Sequence, residues 1–184
     1  MINIRQNTFE TNSSSVHSLV VFHENWESAY NYTYDKEMTI KGGMYDRCYP
    51  KVLATLQDKL SYIWTAIISL YCDYNYETKQ IIPEDSYFYW KKVLQKIVPN
   101  VIFIFPEFRD SIWIDHCGAL GNFFDECKEN NQIMKDLILE DNSFIIVEGD
   151  EYCMMIAAFY PDYWTNEEKL VKLNNNYKIY VKGC

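Results

Sequence analysis

The sequence predicts an α+β domain in which a mixed or antiparallel β-sheet packs against three or four helices. Apolar residues make up 48% of the chain and charged residues 23%, a balance typical of folded globular proteins. Apolar residues recur at helical steps over 51–73, and short apolar runs typical of strands lie on both sides of that segment. With 184 residues and no internal repeat or linker, the chain is expected to form one domain, residues 1–184.

The first half of the chain predicts strands followed by one long amphipathic helix. Segment 2–5 alternates in polarity, and 16–22 is an apolar run that follows a polar stretch. A further strand is predicted over 38–41, where Gly42 and Gly43 end it. The helix over 51–73 follows Pro50, a residue common at helix starts.

The second half alternates helices with strands. Glu84 begins a helix that runs to Pro99, and Asn122 is the expected cap of another, whose polar stretch 129–132 is expected to break or kink it. Thr165 is the expected cap of a third. The remaining predictions are strands over 101–105, 111–115, 143–147 and 177–181, a helix over 166–173, and a strand or helix over 153–159.

The net charge of −9 and the pI near 4.8 restrict the classes of partner. A protein that binds nucleic acid needs a Lys/Arg footprint, so direct binding to nucleic acid or to an anionic membrane is not expected. An acidic surface suits a basic protein partner, including the basic groove of a nucleic-acid-processing enzyme. The most apolar helix segment, 63–70, is too short to span a bilayer.

The cysteines and the amino-terminal residues predict a cytoplasmic protein with reduced thiols. The six cysteines are scattered, without the close pairs of a zinc site or redox motif. The polar opening 3–7 does not resemble a cleavable leader. No glycine-rich phosphate loop or catalytic consensus motif is present, and no cofactor or metal is predicted.

Aromatic residues are unusually frequent, with 16 Tyr, 10 Phe and 5 Trp. One interpretation is an A/T-rich coding sequence, which raises Tyr together with Asn, Ile and Lys. The other is an adhesive surface, because Tyr and Trp dominate the anchors of protein interfaces. Both interpretations stay open at the level of the sequence.

The polar segment 9–18 is the most distinctive part of the chain. Ser15 and His17 point to the same side of an extended strand, so a hydroxyl and an imidazole could act as nucleophile and base. The alternative is a turn closed by the serines, with His17 as an ordinary strand residue. Four neighbours are candidates for contact with a ligand or partner: Glu10, Asn12, Ser13 and Ser14.

A second candidate site is the pair Asp115 and His116 at the end of a predicted strand. A carboxylate and an imidazole suit proton transfer or metal binding. Neighbouring strand residues face opposite ways, however, so the two would share a ligand only at a bend. The alternative is a structural role in the turn at Gly118.

A third candidate is the acidic turn that contains Glu148, Asp150 and Glu151. Its carboxylates could contact a partner or supply oxygen ligands to a divalent cation. The spacing lacks the alternation of a calcium loop, so a solvated turn is the alternative.

The motif Arg5-x-Asn7-x-Phe9-Glu10-Thr11-Asn12-Ser13-Ser14-Ser15-x-His17-Ser18 resembles the amino-terminal signature of small proteins from phages and mobile elements of low-GC Gram-positive bacteria. In those proteins an Asp-His pair follows a later strand, and an apolar strand then ends in a Gly-Asp turn. This chain has both features in that order, at 114–116 and 143–150. It departs from the pattern at Cys117-Gly118, where a hydroxyl residue is expected, which puts any activity that uses that hydroxyl in doubt.

The resemblance implies a phage-type origin, and small acidic phage proteins are often inhibitors of bacterial defence. The expected function is therefore an anti-CRISPR protein that binds a Cas effector through an acidic, aromatic-rich surface in the host cytoplasm. The alternative is a small hydrolase or transferase acting on a nucleotide or nucleic-acid-related substrate through Ser15, His17, Asp115 and His116, with or without a metal. A third interpretation keeps the serine-rich turn architectural in an oligomeric module.

Overall fold

The computed structural model describes residues 16–22, 36–45, 51–75, 77–107, 112–114, 120–148 and 177–181. Within these ranges the chain is an α+β protein with four helices, as the sequence predicts. The predicted strand over 2–5 and the elements over 153–159 and 166–173 lie outside the described residues.

An antiparallel sheet of four strands brings distant parts of the chain together, in the order β10-β1-β9-β4. The central strands are buried on both faces, since Leu19, Val20 and Val21 are all buried, and this explains the unbroken apolar run. Ser18 lies opposite both Val181 and Ile146. The strands are β1 (Val16–Phe22), β4 (Lys51–Leu53), β9 (Phe144–Glu148) and β10 (Tyr177–Val181).

Two short parallel pairs lie against the first helix, β2 (Met38–Lys41) with β7 (Val101–Ile104) and β3 (Met44–Tyr45) with β8 (Trp113–Ile114). Gly42 separates β2 from β3 where the chain passes close to the helix. A Cβ at this position would lie 2.5 Å from Ile112 Cδ1. The glycine thus allows the Ile112 and Thr65 side chains to pack closely against the main chain here.

Helix α1 (Leu56–Tyr71) forms the centre of the core. Thr55 caps it, because its hydroxyl accepts a hydrogen bond from the Asp58 amide at 3.2 Å. The predicted start at residue 51 is wrong, since β4 pairs with β9 there and the helix begins only after the cap. A helix buried on nearly all sides carries apolar residues around its circumference. Among them are Leu60, Tyr62, Ile63, Trp64 and Ile67.

The helical prediction also extends too far at its other end. Cys72 begins a hairpin of β5 (Cys72–Asn75) and β6 (Gln80–Pro83), which the sequence interpretation missed. The Asn75 side chain accepts hydrogen bonds from the Glu77 and Thr78 amides and so forms the turn. Lys79 completes it with a φ of 58°.

Helix α2 (Asp85–Ile97) confirms the helix predicted from Glu84, which is its N-cap residue. Helices α3 (Leu120–Glu129) and α4 (Asn131–Leu139) replace the one helix predicted from Asn122. The expected cap at Asn122 is wrong because α3 already begins at Leu120. The expected break is confirmed, since the Asn130 side chain accepts a hydrogen bond from the Gln132 amide and starts α4.

None of the helices in the described ranges is long and apolar enough to cross a bilayer.

Candidate functional site

Most of the residues singled out by motif lie outside the described part of the chain. This applies to Glu10, Asn12, Ser13, Ser14, Ser15, Asp115, His116, Asp150 and Glu151. For His17 and Glu148 the structure describes the backbone. Their proposed chemistry therefore stays a prediction.

The backbone shows where two of these segments join the fold. Val16, the first residue of β1, pairs with Glu148, the last residue of β9, and His17 pairs with Val147. The serine segment and the acidic turn thus adjoin neighbouring strand ends of one sheet. Ile114, which precedes the Asp-His pair, lies in β8 and pairs with Tyr45 in a separate two-stranded sheet.

No cluster of three or more His, Cys, Asp or Glu side chains that could hold a metal ion occurs within the described ranges.

Lys59 is the most unusual ionisable group that the structure describes, since only 2% of the residue is exposed. Its Nζ donates hydrogen bonds to the carbonyl oxygens of Glu140 at 2.8 Å and Ser143 at 3.1 Å. Burial lowers its pKa to about 8, although the nearby charges of Asp141 and Glu140 act in the opposite direction. A depressed lysine pKa suits a nucleophile or base. Here, however, the amine is enclosed and committed to main-chain acceptors, so we assign it a structural role.

The cysteine thiols that the structure describes are also unsuited to nucleophilic chemistry. Burial raises the pKa of Cys72 to about 12, and the charges of Glu84 and Asp73 add to the shift. Cys127 is fully buried. A thiol reacts as its thiolate, so Cys72 is not an activated nucleophile, and Cys127 is inaccessible to a substrate.

The clearest candidate for function is an exposed apolar surface on α2 and β7, which we call the α2–β7 surface. It is defined by Phe88, Ile102 and Ile104, which are 50%, 65% and 39% exposed. Along β7 the residues alternate, so Val101 and Phe103 face the core while the two isoleucines face outward. Large apolar side chains exposed on neighbouring elements are candidates for interaction sites.

A cluster of aromatic rings in edge-on and tilted contact joins α2 and the end of β7 to the core. The Tyr87 ring contacts both Phe88 and Phe105, at centroid distances of 5.1 and 5.5 Å, so α2 and the end of β7 meet at this ring. Trp64 on α1 lies 5.5 Å from Tyr87 and 5.0 Å from Phe103. The surface is therefore held on a rigid base.

The main chain of β7 is fixed as well. The Trp64 indole Nε1 donates a hydrogen bond to the Ile104 carbonyl at 2.8 Å. This bond satisfies the indole inside the core and sets the position of the strand relative to α1. The outward-facing isoleucines thus have a defined geometry.

The sequence that carries the α2–β7 surface is poor in acidic residues, although Glu84 and Asp85 lie one helical turn before Phe88. Residues 86–106 contain no Asp or Glu and three Lys, although the chain has 26 acidic residues in total. The exposed apolar residues of this surface thus lie in a stretch without acidic residues. The lack of acidic residues over 86–106 was the signal in the sequence that could have pointed to the surface. The sequence interpretation missed it, because it treated 101–105 only as an apolar strand and weighed charge over the whole chain.

Comparisons of the chain with protein-family models, with curated proteins and with solved structures gave no match.

Proposed function

We propose that the protein acts by binding another protein through the α2–β7 surface. The observation that carries the proposal is the set of outward-facing side chains of Phe88, Ile102 and Ile104 on a rigid aromatic base. Burying one such side chain at an interface contributes about 1.5–3 kcal/mol. Interfaces draw most of their energy from a few anchors of this kind, surrounded by weaker contacts.

The net charge of the chain supports a basic partner, although the stretch 86–106 is locally basic. The net charge of −9 steers the protein toward a positively charged surface and accelerates the encounter. The α2–β7 surface itself then docks through apolar contact, and the neighbours of Ile102 and Ile104 on β2 are Thr39 and Lys41, which carry no carboxylate.

The partner class follows from the phage-type resemblance of segment 5–18. The proposal is a basic effector of bacterial defence, with a Cas nuclease as the first candidate, which the protein inhibits stoichiometrically in the cytoplasm of an infected or lysogenic cell. Such an inhibitor needs no cofactor and no direct contact with nucleic acid.

Copurification with candidate effectors, followed by a titration of nuclease activity, tests the proposal. We expect a stable complex and complete inhibition at a stoichiometric ratio. An inhibitor that works far below stoichiometry would instead be an enzyme. A protein that retains no effector and leaves cleavage unchanged at stoichiometric excess would overturn the proposal.

Two variants test the surface itself. Phe88→Asp and Ile102→Asp place a carboxylate in the proposed interface, and we expect each to weaken the complex by at least about tenfold. Val52→Asp is the matched control, because Val52 is also an exposed β-branched strand residue but lies in the four-stranded sheet. Equal affinity of all three variants for the effector would exclude the α2–β7 surface as the binding interface.

A further inference from the structure

The outer edge of β7 is an open strand edge in the described part of the chain. There β7 pairs with β2 in a two-stranded sheet and with no other strand. Segment 101–105 is apolar throughout and contains no charged residue and no proline. Natural proteins protect the edges of their sheets with charges, prolines, bulges or a covering segment. Because β7 carries neither a charge nor a proline, its sequence leaves the edge able to pair with a further strand.

The hydrogen bonds of the sheet show which main-chain groups point to that edge. In a parallel ladder, alternate residues direct both the amide and the carbonyl toward the same neighbouring strand. The Asn100 carbonyl accepts a hydrogen bond from the Met38 amide at 3.5 Å and thus points to β2. By this alternation the main-chain groups of Ile102 and Ile104 also point to β2, and those of Phe103 point away from it. No other described residue forms a hydrogen bond with the Phe103 amide or carbonyl.

The outer edge of β2 is different, because α1 bonds to it. The Lys41 carbonyl, which points away from β7, accepts a hydrogen bond from the Ser61 hydroxyl of α1 at 2.7 Å. This contact agrees with the alternation inferred from the other end of the sheet. Of the two edges, the one on β7 is therefore the edge that no element in the described ranges occupies.

The face of the sheet beside this edge is exposed and free of carboxylates. Ile102 and Ile104 are exposed on β7, as are their neighbours Thr39 and Lys41 on β2. The Phe103 side chain faces the opposite way, into the core, and is 8% exposed. An incoming strand thus gains main-chain hydrogen bonds at Phe103 and apolar contact with the two isoleucines.

We propose that this edge pairs with β7 of a second copy of the chain, antiparallel, about a two-fold axis at Phe103. The outward amide and carbonyl of Phe103 then exchange hydrogen bonds with the same groups of the other copy. Ile102 of each copy lies opposite Ile104 of the other, on the exposed face. A two-fold interface uses one patch twice, so that patch must be self-complementary. The edge of β7 meets this condition, since apolar residues face each other and no like charges do.

The pairing turns two small sheets into one sheet with the strand order β2-β7-β7-β2. Two strands alone are marginally stable, and three or more strands with a packed face are more stable. The four isoleucines of the two copies then lie at the centre of the exposed face, flanked by Thr39 and Lys41. One consequence rests on the proposed function, namely that an effector would meet two adjoining α2–β7 surfaces.

The dimer is expected to be weak and reversible. Stable interfaces bury about 1,200–2,000 Å², more than the edge of one short strand supplies. The net charge of −9 on each copy also opposes association. We therefore expect a Kd between about 1 μM and 1 mM.

Analytical ultracentrifugation of the isolated full chain across that concentration range tests for the dimer. Amide hydrogen exchange measured by NMR locates it. The exchange of the Phe103 amide should slow in proportion to the fraction of monomer that remains. The amides of Ile102 and Ile104 are internal controls, because they point to β2 in the monomer and the dimer alike.

Two double variants test the register of the pairing. Ile102→Lys with Ile104→Lys places like charges opposite each other twice, and Ile102→Lys with Ile104→Glu places opposite charges there. Both variants carry two charged side chains at the same exposed positions. We expect the Lys/Glu variant to dimerise about tenfold more tightly than the Lys/Lys variant. Thermal unfolding of both verifies the fold.

Three results would overturn the proposal. The first is a chain that stays monomeric up to about 1 mM. The second is a dimer in which exchange of the Phe103 amide does not change, and the third is equal dimerisation of the two double variants. A monomer whose Phe103 amide becomes protected only with an effector would assign the edge to a strand of that effector instead. All measurements of dimerisation use the isolated protein, so they succeed or fail independently of the proposed function.

Discussion

Lys59 on α1 and Ser143, the residue before β9, are joined by a buried hydrogen bond of 3.1 Å from the Lys59 ammonium to the Ser143 carbonyl. The same ammonium donates to the Glu140 carbonyl, the C-cap position of α4. A cation at this position offsets the negative end of the helix dipole and adds a hydrogen bond to the C-cap carbonyl, which also accepts from the Ser143 amide. One side chain thus fastens α1, α4 and β9 together.

This lysine gives a specific prediction for the pH dependence of stability. Its pKa is about 8 in the folded protein and 10.5 as the ordinary value. Below pH 8 the Lys59 amine is protonated in both the folded and the unfolded protein. The free-energy cost of burying its charge on folding is then present in full. As the pH rises from 8 toward 10.5, the unfolded chain binds more protons at this site, so the cost disappears and Lys59 contributes more to stability. A neutral amine still has two N–H groups for the two carbonyls.

Lys59→Met isolates this effect, because all other titrating groups are common to both proteins. We expect the stability advantage of the native protein over the variant to be larger at pH 9.5 than at pH 7, by about 1 kcal/mol. Urea unfolding of both proteins at the two pH values measures it. An advantage that is constant or falls with pH would contradict the prediction.

A second prediction concerns Gly42 and Gly121, whose substitution by Ala should change the stability of the protein in opposite directions. A methyl group at Gly42 would meet Ile112 and the Thr65 hydroxyl, so Gly42→Ala should destabilise the protein by about 1–3 kcal/mol. Nothing lies within 4 Å of a Cβ at Gly121 in α3, and Gly121→Ala should stabilise it by about 0.5–1 kcal/mol. Equal effects of the two substitutions in thermal unfolding would rule out the packing argument.

Cysteine reactivity provides a third prediction. With its pKa raised to about 12 by burial, Cys72 has very little thiolate near neutral pH. Iodoacetamide should alkylate it at least about tenfold more slowly in the native protein than in denaturant. Cys127, which is fully buried, should behave in the same way. Peptide mapping by mass spectrometry follows both sites, and rapid native labelling of Cys72 would refute the assignment.

Neighbouring residues of β7 allow a fourth prediction. Phe103 faces the core and packs against Trp64, so Phe103→Ala should cost about 3–5 kcal/mol. Ile102 faces outward, so Ile102→Thr should change stability by only about 0.5 kcal/mol. Thermal unfolding measures both. A large loss for Ile102→Thr would show that the side chain is required for folding and would weaken its assignment to an interface.

Much of the fold could be predicted from local pattern. The bounds of β2 are those of the prediction, because Gly42 and Gly43 end the apolar alternation at Lys41. Helix α2 likewise begins after its acidic cap and ends before Pro99. In both cases the signal lies within the element itself.

The misassigned elements depend on contacts with distant residues. Segment 51–53 has no strong strand pattern and becomes β4 because it pairs with β9. Cys72 continues the apolar pattern of α1 but pairs with Pro83 in the hairpin. Sequence pattern also cannot show which side of β7 is covered, so the exposure of Ile102 and Ile104 became apparent only from the packing of Phe103.

The pairing of Ser18 with Val181 in the four-stranded sheet has a consequence for biosynthesis. A nascent chain emerges from the ribosome with β1 well before β10, so one side of β1 has no neighbour until the residues between the two strands have been translated. During that interval an apolar strand edge is open to other chains. We therefore expect a chaperone that holds unpaired strands to raise the yield of this protein, and premature termination before Tyr177 to cause aggregation.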